Sequence, residues 1–159
     1  MLAKDYAVVR AMVEAVRAHP LAGPLFEAEG QSEQTLVWQD ERTGVWLRAM
    51  LDITRRNRGG HLLIGDYKTT DTIDPASFAR QVVTLNYHMQ EWWYIEAAQR
   101  VGLDEAPDFL FVCQERTPPY LVDVRQLDFT LHLMGEQRSR RAIGIYDACR
   151  RTDTWPGYG

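Results

Sequence analysis

Apolar residues recur at helical spacing between Asp5 and Ala18, at Val8, Val9, Met12, Val13 and Val16. The pattern stops at His19-Pro20, because proline disfavours helix in the residue before it. After a loop, LAGPLFEAEGQS, the period shortens to that of a strand. EQTLVWQD, VWLRAMLDIT and HLLIGDYKTT read as three strands joined at ERTG and RRNRGG. Asp74 followed by Pro75 predicts an N-cap and first helical position for one long, aromatic-rich helix that runs to about Val101. DFLFVCQE and PYLVDVRQ predict two more strands around RTPP, and a last helix spans about Asp128 to Arg150 before WPGYG. The order is α-β-β-β-α-β-β-α. At 159 residues, with no internal repeat or linker, this predicts a single α/β domain over 1–159.

Composition excludes more than it identifies. Hydrophobic residues make up 45% and charged residues 25%, ordinary for a globular protein. The first twenty residues carry charges inside their apolar pattern, so they resemble neither a signal peptide nor a span, and no later segment reaches the roughly 20 apolar residues a span requires. A cytoplasmic protein with no membrane partner is expected. Cys113 and Cys149 are the only cysteines, which excludes a four-cysteine zinc or iron–sulfur site and predicts two reduced, packed thiols. The net charge of −4 does not advertise a polyanion binder.

Candidate chemistry gathers at GDYKTT. Side chains two apart on a strand share a face, so Asp66 and Lys68 project together while Tyr67 points away. If the preceding turn is centred near Gly59, Asp52 falls opposite Asp66, seven residues back and seven on. Facing carboxylates repel unless a cation lies between them, and all-oxygen ligation suits Mg²⁺ or Mn²⁺. A lysine beside such an ion orients water or stabilises charge growing on a phosphoryl group. The competing reading is a surface ion pair between Asp66 and Lys68, with Asp52 unrelated. In YHMQEWWYIEAA, Gln90 and Tyr94 share a helical face with Tyr87, and the tryptophans read as core. Gly65, lacking a side chain, would leave room for a neighbouring strand or a DNA backbone.

With Asp52, Asp66, Lys68, Gln90 and Tyr94 identified, the chain resembles the PD-(D/E)xK nuclease superfamily, in the branch of exonuclease VIII (RecE) and the RecB-type nuclease domains. AHP, SEQTLVWQDERTG, RAMLD, GDYKTT, FARQVVTLNYHMQEWWY, FVCQERTPPYLVDV and WPGY fall in the order expected of the RecE-like group. The resemblance implies a restriction-endonuclease-like core, a central mixed five-stranded sheet flanked by helices. It implies metal carboxylates at Asp52 and Asp66, a metal-binding carbonyl at Tyr67, a catalytic Lys68, and a QxxxY pair, Gln90 and Tyr94, at the active site or on DNA. Glu33 matches an acid that recurs on the first strand of the group, and it reads equally well as a solvent-facing residue.

The same resemblance implies a Mg²⁺-dependent exonuclease that degrades linear double-stranded DNA from 5′ to 3′ in phage-type recombination or repair. It further implies a ring-shaped homo-oligomer in the full-length form and a single-strand annealing partner. Arg55, Arg56 and Arg58 at the hairpin tip, and Arg138, Arg140 and Arg141 on the last helix, are candidates for DNA contact or for solvated faces. His61, His88 and His132 lack the spacing of a metal triad. The chain departs from the family at one point: nothing matches its helical histidine segment, and His19 lies after the place where that segment belongs. The expectation is a C-terminal part of such a nuclease, with weakened metal binding. A structure- or site-specific endonuclease using the same acids, and a catalytically weak DNA-binding or assembly module, are the alternative readings.

Overall fold

A computed structural model describes residues 3–27 and 30–157. Its elements are α1 (Ala3–Ala18), α2 (Ala22–Glu27), β1 (Gly30–Gln39), β2 (Trp46–Arg56), β3 (Leu62–Thr70), α3 (Pro75–Thr84), α4 (Tyr87–Arg100), β4 (Asp108–Glu115), β5 (Val122–Arg125) and α5 (Phe129–Thr152). The five strands form one mixed sheet in the order β1-β2-β3-β4-β5, antiparallel except for the parallel pair β3–β4. That parallel pair requires a crossover, which α3 and α4 supply. No helix among the described residues is long and apolar enough to cross a membrane.

Helices cover both faces of the sheet. On one side Leu36, Leu47, Ala49, Leu51, Ile64, Phe109 and Phe111 pack with Phe78 and Val82 of α3, Ala97 of α4 and Ile143 of α5. On the other, Val16 of α1 and Ala22 and Leu25 of α2 cover Val112, Tyr67 and Leu110. Helix α4 is held tightly against α5, because a Cβ at Gly135 would meet the His88 carbonyl oxygen at 2.0 Å. Only glycine permits that approach, and α4 is the helix that carries Gln90 and Tyr94.

Three expectations need correction. The predicted long helix is two helices, broken at Leu85 and Asn86, where Asn86 adopts the left-handed conformation (φ 57°) that asparagine tolerates better than most residues. The predicted N-cap does hold, with Asp74 accepting from the Ser77 N–H at 2.8 Å. Residues 22–27 of the predicted loop form α2, whose first N–H groups are taken up by His19 Nδ1 at 3.3 Å from Leu21 and 3.1 Å from Ala22. Gly23 and Pro24 disguised that short helix. Finally, the apolar stripe of α1 is only partly used: Val16 is buried, while Val9 and Val13 remain exposed.

Candidate active site

The centre of the site is a fork in the sheet. Strands β2 and β3 pair from Arg56↔Leu62 to Ile53↔Gly65, a register centred on residue 59, and then separate. Below the fork β2 pairs with β1, and β3 pairs with β4. Asp52 and Asp66 occupy the next row, where the ladder opens. Alternation also slips here: Leu47, Ala49 and Leu51 belong to the α3–α5 side, yet Ile53 faces the Gly65 backbone and Leu25 on the other. Asp52 lies at that irregular step and is half-buried, beside Asp66. A bulge-like break that redirects a side chain is a recurrent device next to functional sites.

Asp66 is 1% exposed. Its Oδ1 accepts a 2.6 Å hydrogen bond from Gln90 Nε2. Its Oδ2 lies 2.7 Å from Lys68 Nζ but receives no hydrogen bond of acceptable geometry, so a buried carboxylate oxygen is left without a hydrogen-bond partner. Burial raises the Asp66 pKa to about 6; the Lys68 ammonium opposes the rise and the neighbouring Asp52 adds to it. Lys68 is 22% exposed and sits over the Tyr87 ring, 5.0 Å from its centroid. The Tyr94 phenol, packed on Phe109 at 5.9 Å between centroids, is pushed up by burial, with Gln90 beside it acting in the opposite sense.

The back of the same strand is closed by contrast. Tyr67 points away from Asp66 and Lys68, meets Phe26 edge-on at 6.1 Å, and donates its hydroxyl to Gln114 Oε1. Gln114 in turn donates to the Met12 carbonyl at 2.9 Å and the Tyr120 carbonyl at 3.2 Å, tying α1 to the strand behind the site. The Tyr67 backbone stands opposite Val112 in the β3–β4 register, and the β2 side of the strand is unpaired beyond Gly65. Gly65 faces this closed side. A methyl there would meet Ile53 and Leu25 at ordinary distances of 3.5 and 3.7 Å, so the glycine serves no close approach of DNA.

The other predicted residues divide. Glu33 falls across from Asp52 in the β1–β2 register, but its left-handed backbone (φ 52°) removes it from the ladder and its side chain is exposed. Arg55 is buried, its Nη1 donating to the carbonyls of Gln31 (3.1 Å) and Thr54 (2.9 Å), so it is not presented to a phosphate. Arg56 binds the carbonyls of Gly60 and Leu103. Arg58 is exposed. On α5, Arg140 is held by Asp40 (2.5 Å) and Glu96 (2.6 Å), Arg138 donates to Asn86 Oδ1 at 3.2 Å, and Arg141 is exposed. The histidines have structural partners: His61 with Asp108, His88 with the Val82 carbonyl, His132 with Glu91. Cys113 and Cys149 are free and buried, as expected.

The donor set fits a hard divalent ion. Two carboxylates, one with an oxygen that lacks a hydrogen bond, supply the anchorage Mg²⁺ needs, since this ion keeps several waters and takes the rest of its ligands from substrate. Among the described residues no three histidine, cysteine, aspartate or glutamate groups gather closely enough to hold a metal. The choice of cation at this site is itself a signal in the sequence. Of 18 basic residues only Lys4 and Lys68 are lysines. The chain uses arginine for its structural cations and places at this site the compact ammonium that arginine does not replace.

Comparisons with known proteins bear on the family and the fold. No curated protein matches the chain. A crystal structure of a "Putative exonuclease" from Eubacterium rectale is similar, with a TM-score of 0.72 and 12% identity, over 98% of this chain and 57% of that one. This chain therefore spans little more than half of that protein's length. A second solved structure, SSO0001, gives a TM-score of 0.45 at 12% identity, over 87% of this chain and 59% of that one, and carries no weight. The first likeness shows the fold, an α/β sheet of the restriction-endonuclease kind. The profile of one family, described as "PDDEXK-like domain of unknown function (DUF3799)", matches residues 1–159, and the chain thus belongs to that family and, through it, to the PD-(D/E)xK nuclease superfamily.

Proposed function

We propose that the protein is a divalent-metal-dependent deoxyribonuclease that degrades linear double-stranded DNA from its ends, 5′ to 3′, in phage-type recombination or repair. The observation that carries this reading is the buried Asp66 Oδ2, without a hydrogen-bond partner at the fork of β2 and β3, with Asp52 beside it and Lys68 Nζ 2.7 Å away. Family membership supports hydrolysis of nucleic acid, and the exonuclease name of the Eubacterium rectale neighbour supports action at ends. The ring assembly, the annealing partner and phosphate contacts from the exposed Arg58 belong to the same proposal.

Asp52 and Asp66 would hold Mg²⁺ or Mn²⁺. When bound, the ion supplies Lewis-acid polarisation of the phosphodiester. Gln90 fixes the orientation of Asp66 by holding Oδ1, so Oδ2 keeps its direction. Lys68 presents a compact positive charge where negative charge grows on the phosphoryl group, and its donors orient the attacking water. The Tyr94 phenol lies within hydrogen-bonding reach of Gln90 and so steadies that amide.

The test is digestion of end-labelled linear and covalently closed circular DNA with Mg²⁺ or Ca²⁺, by wild type and Asp66→Ala. Loss of linear DNA alone, in Mg²⁺ and not in the variant, is the expected result. Cutting of circles would shift the reading to an endonuclease. Equal behaviour of the variant would remove the metal site from the argument.

A further inference from the structure

We propose that Tyr87 is the positioning residue for Lys68, its ring serving as the anchor that keeps the ammonium in place once Asp66 is engaged by a metal ion. The proposal rests on the metal-dependent reading of the site given above. Lys68 Nζ lies 2.7 Å from Asp66 Oδ2 and 5.0 Å from the centroid of the Tyr87 ring. The first is insecure. A divalent ion taken up by the same oxygen would repel the ammonium and replace it. The second survives, because the negative face of an aromatic ring attracts a cation irrespective of what Asp66 binds.

The ring is itself held rigidly. Tyr87 stacks on Phe111 with centroids 5.5 Å apart and planes at 25°, and Phe78 lies 6.5 Å away. Phe111 is fully buried and stands opposite Asp66 in the β3–β4 register, so the platform is built on the strand next to the acid it serves. The helix break places it there. Asn86 in the left-handed conformation turns the chain between α3 and α4, and Tyr87 becomes the first residue of α4. An unbroken helix would not begin a new turn at this point. The contacts with Lys68 and Phe111 are made by the ring.

Lys68 is one of only two lysines in the chain, so selective lysine labelling reports on it directly by nuclear magnetic resonance, with Lys4 as the internal reference. The ε-methylene protons of Lys68 are expected upfield of those of Lys4 in the wild type, and to stay there when Ca²⁺ is added. Tyr87→Leu should remove the shift and Tyr87→Phe restore it. In DNA digestion with Mg²⁺, Tyr87→Leu should lower kcat roughly tenfold with KM unchanged, and Tyr87→Phe should recover most of the loss. Melting curves within a few degrees of wild type show that both variants fold. The proposal is overturned if Lys68 shows no ring shift, if the shift vanishes on adding Ca²⁺, or if Tyr87→Phe behaves like Tyr87→Leu. If the wild type cuts no DNA, the nuclease reading fails, and the resonance of Lys68 still decides whether Tyr87 holds it.

Discussion

Asp40 and Asp66 are both buried aspartates paired with a basic residue, and their surroundings could hardly differ more. Asp40 closes the turn after β1. It accepts from the Thr43 N–H at 3.0 Å, the Thr43 hydroxyl at 2.7 Å and Arg140 at 2.5 Å, and the guanidinium continues to Glu96 and lies 4.8 Å over Trp92. Burial alone would raise its pKa, but the Thr43 hydrogen bonds and the Arg140 charge outweigh it, and the net shift is downward. Asp66 has one hydrogen bond, from Gln90, a lysine at poor hydrogen-bonding geometry and a second carboxylate, and its pKa is driven up to about 6. Satisfied lone pairs mark a structural acid. Asp66 is instead buried at a cost, with one oxygen that lacks a hydrogen bond.

Substitutions at the two positions should therefore separate activity from stability. The largest effect expected is on catalysis: Asp66→Asn should lower Mg²⁺-dependent DNA degradation roughly a thousandfold, whereas Asp40→Asn should leave the rate per folded molecule unchanged, as initial rates on labelled DNA will show. Next comes stability. Asp40→Ala removes the Thr43 acceptor and one of the two carboxylates that hold Arg140, and should cost about 2 kcal/mol in urea unfolding.

The opposite sign is expected at Asp66. Its folded pKa, about 6, lies above the unfolded value near 3.8, so between those values the folded state binds the extra proton and stability falls as pH rises. Asp66→Asn should thus be more stable than wild type by roughly 2 kcal/mol at pH 8, with the gain gone at pH 4, in metal-free melts at both pH values. Mg²⁺ should raise the wild-type Tm at pH 8 and leave that of the variant in place. The smallest effect belongs to Gln90→Ala, which frees Asp66 Oδ1 and should weaken Ca²⁺ binding roughly tenfold by calorimetry.

Part of the candidate site is legible in the sequence, although nothing there distinguishes Asp40. The seven-and-seven register about residue 59 placed Asp52 opposite Asp66, and the period of two put Asp66 and Lys68 on one face with Tyr67 behind. Helical spacing put Gln90 and Tyr94 together. Less was visible in the arginines. Arg55 and Arg140 read as surface charges from their neighbours in sequence, but one turns back onto strand carbonyls and the other reaches an aspartate 100 residues away. A side chain of that length is placed by whatever polar group packing brings within reach, and a local pattern contains no record of it. The break at Asn86 was hidden for a related reason: the packing of α4 on α5 at Gly135 and the His88 contact with the Val82 carbonyl at 3.0 Å, both tertiary features, accompany the turn.

The sequence by itself determined the five strands and their order, the face that Asp66 shares with Lys68 and the helical spacing of Gln90 and Tyr94. Those depend on periodicity and on residue spacing, which are local. Only the tertiary structure decided which buried carboxylate oxygen is left unsatisfied, which arginines are spent, and that an aromatic ring from the start of α4 covers Lys68. Burial and hydrogen-bond satisfaction are sums over neighbours that the chain assembles from distant segments, so they come into existence only when the sheet and its helices close around them.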